Sequence, residues 1–270
     1  MEQITSSSNP RFKAALRLKQ NRGRKQQRRS LVVGEREVGM ALANGIALEE
    51  LFVCAGRWAD RSEWYHLRAG CRAARIDCFE LAEPLFDKLC YGQRETAVVA
   101  CARRPQRQLG ELELPEQFLV CVVEGVEKPG NLGAVMRSAE AAGAHGVLVA
   151  DAQCDPFHPN CIRASMGTVF AIPWVETTSV AALAFLIKRR AKLYASRVDG
   201  AIPYDSCDWT SASAIVVGSE AAGLGRLWEQ PGVQNIAIPM RGSVDSLNLS
   251  VSAAVLLFEA ARQRRNALPL

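Results

Sequence analysis

From Ser30 onward the chain alternates short apolar runs with longer amphipathic stretches. LVV is followed by a helix-like segment that Asn44-Gly45 ends, and ELFVCAG reads as the next strand. A helical stretch near 60–74, the strand-like IDCFEL, a helix near 82–89 and the strand-like TAVVACA complete a unit ending near Arg103. RRPQRQLGELELPEQ then interrupts the rhythm with Pro105, Gly110 and Pro115, shows no helical or strand period, and reads as a linker over 104–117. Beyond it, FLVCVVEGV predicts a buried strand, followed by a helix over 131–142, the strand GVLVAD and a helix over 159–166. AIPWVE, a helix over 178–191, KLYAS, AIVVGSE, NIAIPM and a final helix over 247–264 complete the pattern. Short apolar strands alternating with helices predict an α/β fold, with a mostly parallel sheet covered on both faces in a domain at 118–270 and a smaller α/β domain at 1–103.

Charge changes this picture at one end only. The formal net charge is +5, but residues 1–30 hold nine Lys/Arg against the single acid Glu2, so that segment carries +8 and the rest −3. Clustered cations favour a polyphosphate partner through counterion release, which points to RNA or DNA. A solvated basic helix is the plainer alternative. Candidate phosphate contacts are Arg11, Lys13, Arg22, Arg24, Lys25 and Arg28, with Arg163 in the second half. Phe12, Trp58, Trp64, Tyr65, Phe79, Phe86 and Tyr91 could supply a base-stacking platform or simply core.

Nine cysteines form no CxxC pair, and several lie inside apolar runs, so they read as reduced, buried thiols. His158 and Cys161 have no second half-site, and no metal is expected. No apolar run is long enough to span a bilayer and no secretory pattern opens the chain, so a cytoplasmic protein is expected.

Three places in the second half share one grammar of strand, small-residue turn and helix, and in an open α/β sheet such turns can converge on one pocket. In the first, Pro129-Gly130-Asn131 makes the turn, Asn131 reads as the helix cap, and Arg137 lies off the core-facing stripe of Leu132, Val135, Met136 and Ala139. The second places Gly218, Gly223 and Gly225 after a strand; it is neither a Walker A loop nor GxGxxG, which counts against an NAD-type oxidoreductase. The third sets Ser246 and Asn248 around Leu247 at a helix start, with Ser246 able to act as cap. No Ser-His-Asp set, metal cluster or carboxylate pair accompanies these turns. The pattern suits a site that holds a cofactor by backbone contacts and lets it supply the reactive group.

NLGAVMRSAEAAGA (131–144), IVVGSEAAGLG (215–225) and IPMRGSVDSLNLSVSAAVLL (238–257) resemble, in order, the three motifs of the SpoU/TrmH branch of the SPOUT RNA methyltransferases. CIRASMGTVFAIPW (161–174) resembles the segment between the first two motifs, and ITSSSNPRFK with LVVGEREVGMALANG resembles the substrate-binding domain of the ribosomal-RNA members. The resemblance implies a trefoil-knotted parallel-sheet methyltransferase domain after a smaller α/β RNA-binding domain. It implies a homodimer with the active site bordering the subunit interface, S-adenosylmethionine as cofactor, and 2′-O-methylation of structured RNA, ribosomal RNA before transfer RNA.

By the same resemblance, S-adenosylmethionine is held around Gly218, Ile238 and Leu247, with Met240, Ala195 and Ser196 nearby. Arg137 matches the catalytic arginine, and Asn131, Glu220, Ser246 and Asn248 match the other polar positions. Because a guanidinium stays charged, Arg137 is expected to orient the ribose hydroxyl or a phosphate and stabilise the nascent alkoxide rather than act as a base. Asn131 and Asn248 are expected to hold the ribose or Arg137, Ser246 to orient Arg137 or the substrate, and Glu220 to fix the cofactor loop. A family member that binds RNA without methylating it is the competing reading.

Overall fold

A computed structural model describes residues 1–57, 62–90, 96–199, 202–220 and 222–267. In chain order the first half runs β1 (Glu2–Ile4), α1 (Pro10–Arg17), α2 (Asn21–Gln27), β2 (Arg29–Val33), α3 (Glu35–Ala43), β3 (Leu48–Val53), α4 (Ser62–Ala73), β4 (Asp77–Leu81), α5 (Glu83–Leu89) and β5 (Val98–Arg103). The second half runs β6 (Leu119–Glu124), α6 (Pro129–Ala141), β7 (Gly146–Ala150), α7 (Pro159–Ala164), β8 (Trp174–Thr177), α8 (Ser179–Lys188), β9 (Lys192–Ser196), β10 (Ile202–Pro203), β11 (Ser213–Val217), β12 (Val233–Ala237) and α9 (Leu249–Ala267). The chain divides into two compact units, one of Met1–Pro105 with Asp155–Ala171, the other of Gln106–Cys154 with Ile172–Leu270.

The first unit is built on a five-stranded sheet of order β1-β4-β3-β5-β2. β1 and β3 run parallel to β4, whereas β3 and β2 run antiparallel to β5, so this sheet is mixed. Its basic N-terminal run is ordered by an apolar stripe: Phe12, Ala15 and Leu18 are buried, Pro10 opens α1, and the Asn9 side chain accepts from the Arg11 and Phe12 amides at 2.9 and 3.3 Å. α2 packs so tightly on the end of α1 that a Cβ on Gly23 would lie 2.0 Å from the Arg17 carbonyl oxygen.

Assigning Asp155–Ala171 to this first unit departs from the boundaries read off the sequence. The segment is fastened by specific bonds: Asp155 pairs with Arg24 at 2.7 Å and Arg104 at 3.0 Å, Ser30 Oγ donates to the Phe157 carbonyl at 2.5 Å, and Arg104 lies 4.8 Å over the Phe157 ring. Gly167, at φ +85, sits where a Cβ would come 2.7 Å from Met40 Cβ.

The second unit carries a seven-stranded sheet of order β10-β12-β9-β11-β6-β7-β8, with every adjacent pair parallel. β6, β7 and β11 are buried along nearly their whole length, as strands covered on both faces must be. The segment read as linker is partly core: Leu112 is buried, and Leu109 and Leu114 pack against the same cluster as Phe118, Val120 and Trp228. Helix boundaries fall within a few residues of those expected, but β1, α1 and α2 had no separate counterpart in the hydrophobic pattern.

Candidate active site

Strand order reverses at β6: the chain builds outward through β7 and β8 on one side, while β11, β9 and β12 lie on the other. Parallel sheets open a crevice beyond the carboxyl ends of the strands at such a point. A cavity of about 320 Å³ lies to one side of that reversal, beyond β9, β11 and β12, with walls from Ser196 and Arg197 at the end of β9, Gly218, Ser219, Glu220, Gly223 and Leu224 after β11, and Ile238, Met240, Ser246 and Leu247 ahead of α9. An adjoining cavity of about 180 Å³ shares Ser219, Glu220 and Leu249 and adds Val126, Lys128 and Asn131. All three small-residue turns thus meet at one place.

Local chemistry explains the shape of the β11 turn. A Cβ on Gly218 would lie 2.2 Å from the Gly223 carbonyl carbon, and Gly223 itself takes φ +65, so the loop folds back on its own backbone. The Gly223 amide donates to the Ser219 carbonyl at 3.0 Å, closing it. The exposed main chain so produced, beside the apolar Ile238, Met240 and Leu247, fits an amphipathic ligand held by backbone groups. Arg197 Nε, in the cavity wall, is buried and has no hydrogen-bond partner among the described residues.

Glu220 is the hub of the polar side. Its Oε1 accepts from Asn131 Nδ2 at 2.8 Å and from Asn248 Nδ2, while Oε2 accepts from Lys128 Nζ at 2.5 Å. The Lys128 ammonium, ahead of Asn131, holds the Glu220 carboxyl below its usual range, and Glu220 in turn raises the Lys128 ammonium. A carboxylate with four lone-pair sites can accept all three donors at once.

Two cap assignments change. Asn131 lies in the first turn of α6 and donates to Glu220; Pro129 starts the helix two residues earlier, its missing N–H costing nothing there. At the third turn Asn248 is the cap, with Oδ1 accepting from the Ser250 amide at 2.9 Å, and Ser246 lies in the cavity wall instead. Ala195 does not line the cavity, because its side chain is buried in the sheet core one residue before Ser196. Arg137 is exposed on α6, lines neither cavity, and makes no hydrogen bond or ion pair among the described residues.

The basic segment sorts into two classes. Arg24 is no surface contact: it is 1% exposed, pairs with Asp155, and donates to the Leu18 and Lys19 carbonyls at 3.0 and 3.1 Å. Arg11 is tied to Glu50 and Asp77 at 3.2 and 3.4 Å and covers the Phe79 ring. Lys13, Arg22, Lys25 and Arg28 are exposed, as are Arg17 and, on α7, Arg163. Among the aromatics, Phe12, Phe79 and Phe86 are core; Tyr65 is 71% exposed. Trp58 and Tyr91, and the side chain of Trp64, lie outside the described residues.

None of the nine cysteines forms a disulfide, and burial pushes Cys71 and Cys90 up to about 11 and Cys121 up to about 12, which suits inert thiols. Among the described residues no cluster of His, Cys, Asp or Glu is arranged for a metal, and no helix is long and apolar enough to cross a membrane.

Residues 118–258 match the family model described as the SpoU rRNA methylase family. The chain belongs to that family. Residues 9–100 of this SpoU methylase match a second model, an MRM3-like substrate-binding domain. It is 31% identical to a 23S rRNA (uridine(2479)-2′-O)-methyltransferase from Streptomyces viridochromogenes, over 96% of this chain and 92% of that one. Among solved structures, one titled an RNA 2′-O ribose methyltransferase is 38% identical with TM-score 0.85, covering 97% of the SpoU methylase and 99% of its own chain. An rRNA methyltransferase from Sinorhizobium meliloti, crystallised with AdoMet, is 27% identical with TM-score 0.87, covering 99% of both.

Proposed function

We propose that this SpoU methylase transfers a methyl group from S-adenosylmethionine to a ribose 2′-hydroxyl of ribosomal RNA, and works in the cytoplasm. The observation that carries the proposal is the cavity beyond the carboxyl ends of β9, β11 and β12, bounded by Gly218, Ile238 and Leu247, with the Glu220 hub beside it. S-adenosylmethionine supplies an already activated methyl on a sulfonium. The protein's task is then alignment of the hydroxyl and stabilisation of the charge that develops on it.

In this reading Gly218, Ile238, Met240, Leu247 and Ser196 hold the cofactor, and Glu220 locks the loop to Asn131 and Asn248. Arg137, always charged, orients the hydroxyl or a neighbouring phosphate and stabilises the nascent alkoxide. Ser246 and the two asparagines complete the polar surround. The trefoil-knotted backbone implied by the motifs belongs to the same proposal.

So does a homodimer. Arg137 lines neither cavity of its own chain, and α9 leaves Val251 and Phe258, two turns apart on one side, 46% and 50% exposed. A second copy covering this stripe would give Arg137 its place at a site bordering the interface. The exposed cations Lys13, Arg22, Lys25, Arg28 and Arg163 would contact RNA phosphates.

The test incubates the purified protein with radiolabelled S-adenosylmethionine and unmodified ribosomal and transfer RNA, followed by nucleoside analysis. The expected product is a 2′-O-methylnucleoside in ribosomal RNA. Arg137→Ala should lower turnover by about 10²–10³ with cofactor affinity kept. Label in transfer RNA alone would move the substrate; cofactor binding absent from the folded protein would leave an RNA-binding role.

A further inference from the structure

The turn after β11 forms one wall of the cavity through Gly218, Ser219, Glu220, Gly223 and Leu224, and Glu220 ties it to Asn131 and Asn248. Its start is fixed by β11, where Val217 pairs with Val123 of β6. Its end is fixed by a residue outside both cavities. Glu124, the last residue of β6, accepts from the Gly225 amide at 2.8 Å through Oε2, and from Trp228 Nε1 at 2.9 Å and Ser179 Oγ at 2.6 Å through Oε1. Trp228 and Ser179 are buried, and Leu224, one residue before Gly225, lines the cavity. From the other side Arg197 Nη2 donates to the Gly225 carbonyl at 3.1 Å and pairs with Glu229 at 3.2 Å.

We infer that Glu124 is a positioning residue for the cofactor loop: one carboxylate gathers the loop end, the Arg226–Trp228 turn and the start of α8, and so sets the width of the cavity. The inference rests on reading that cavity as the S-adenosylmethionine site. Its chemistry requires a carboxylate. Three donors converge on Glu124, and a glutamine of the same shape offers a single acceptor oxygen and turns an NH₂ toward the remaining donors. Glu124→Gln therefore strands at least one donor, either the Gly225 amide at the loop end or the buried Trp228 and Ser179 pair.

The experiment measures S-adenosylmethionine binding calorimetrically for wild type and Glu124→Gln, methyl transfer at saturating cofactor, and hydrogen exchange of the backbone. Glu124→Gln should bind S-adenosylmethionine about tenfold more weakly, the size of one lost bond to a charged acceptor. Its rate at saturating cofactor should stay within about twofold of wild type, since the reacting groups are untouched. The Gly225 amide should exchange faster while β6 and β11 stay protected. A lower melting temperature with unchanged cofactor affinity would mean a merely structural glutamate and would overturn the inference.

Should Glu124→Gln not fold, Trp228→Phe removes one donor and keeps the charge; a few-fold loss of affinity is expected, and an unchanged value overturns the inference. A folded wild type that binds no S-adenosylmethionine would remove the reading of the cavity and this inference with it. Equal binding by wild type and variant removes the inference alone.

Discussion

Arg24 and Arg22 are two positions apart in one charged run, and the fold gives them opposite work. Arg22 is exposed, while Arg24 is sunk against Asp155 with its Nη1 donating to the Leu18 and Lys19 carbonyls. Removing Arg24 takes one of two arginines from buried Asp155 and leaves the Leu18 and Lys19 carbonyls without their donor, while Arg104 still pairs with the carboxylate, so Arg24→Met should cost about 1–3 kcal/mol in urea unfolding. Its RNA affinity, measured on the fraction that remains folded, should keep the wild-type salt dependence; a lower salt slope would return Arg24 to the RNA surface. Sequence patterning could not separate the two arginines, because Arg24's partner lies 131 residues away. The same holds at the cavity: Glu220 and Asn248 were visible as polar positions in motifs, but that both join Asn131 is a tertiary fact. Asn131 was misread as a cap because a turn-forming asparagine and a Pro at the first helical position leave similar local signatures.

At the scale of elements, the parallel sheet was legible because its strands are buried on both faces and read as unbroken apolar runs. α1 and α2 were not, since cations dominate their composition and only Phe12, Ala15 and Leu18 mark the buried side. The linker hid in a similar way. Leu109, Leu112 and Leu114 are too few to set a period, yet they pack into the core of the second unit. The exposed cations of α1 and α2 are expected to act as phosphate contacts, so replacing Lys13, Arg22 and Lys25 with Gln should lower the slope of log affinity against log salt by about 0.7–0.9 per residue. The loss should be similar for RNAs of unrelated sequence, and a sequence-dependent loss in binding assays would contradict a backbone role.

For the whole molecule, pH dependence follows from two histidines. Burial first, and then Arg264 and Arg24 respectively, push His145 and His158 below their ordinary value of 6.5. Each Nδ1 accepts a backbone amide at 3.1 Å, from Leu119 and Asn160, which suits the neutral ring. The unfolded chain therefore takes up protons first as pH falls, and stability should decline from just above pH 6.5 downward until the folded rings titrate. Melting followed from pH 8 to 5 checks this; His145→Gln and His158→Gln together should flatten the curve, and an unflattened one would assign the decline elsewhere. A second expectation concerns the division into units. Residues 1–105 expressed alone lack Asp155, which is paired with both Arg24 and Arg104. That fragment should melt at lower temperature and less cooperatively than a version carrying 155–171 on a flexible linker; identical circular-dichroism melts would show that the segment is dispensable.

The excursion of Asp155–Ala171 into the first unit also sets a timetable for synthesis. A domain that closes on its own N-terminal residues can fold as soon as they leave the ribosome, but this one waits for a piece that lies beyond β6, α6 and β7. At translation speeds of about 5–20 residues per second, that interval lasts on the order of 3–13 seconds. Throughout it the nascent chain carries an Arg24 without its Asp155 partner and an open seat for Phe157, and both are filled only after β6, α6 and β7 of the second unit have been made.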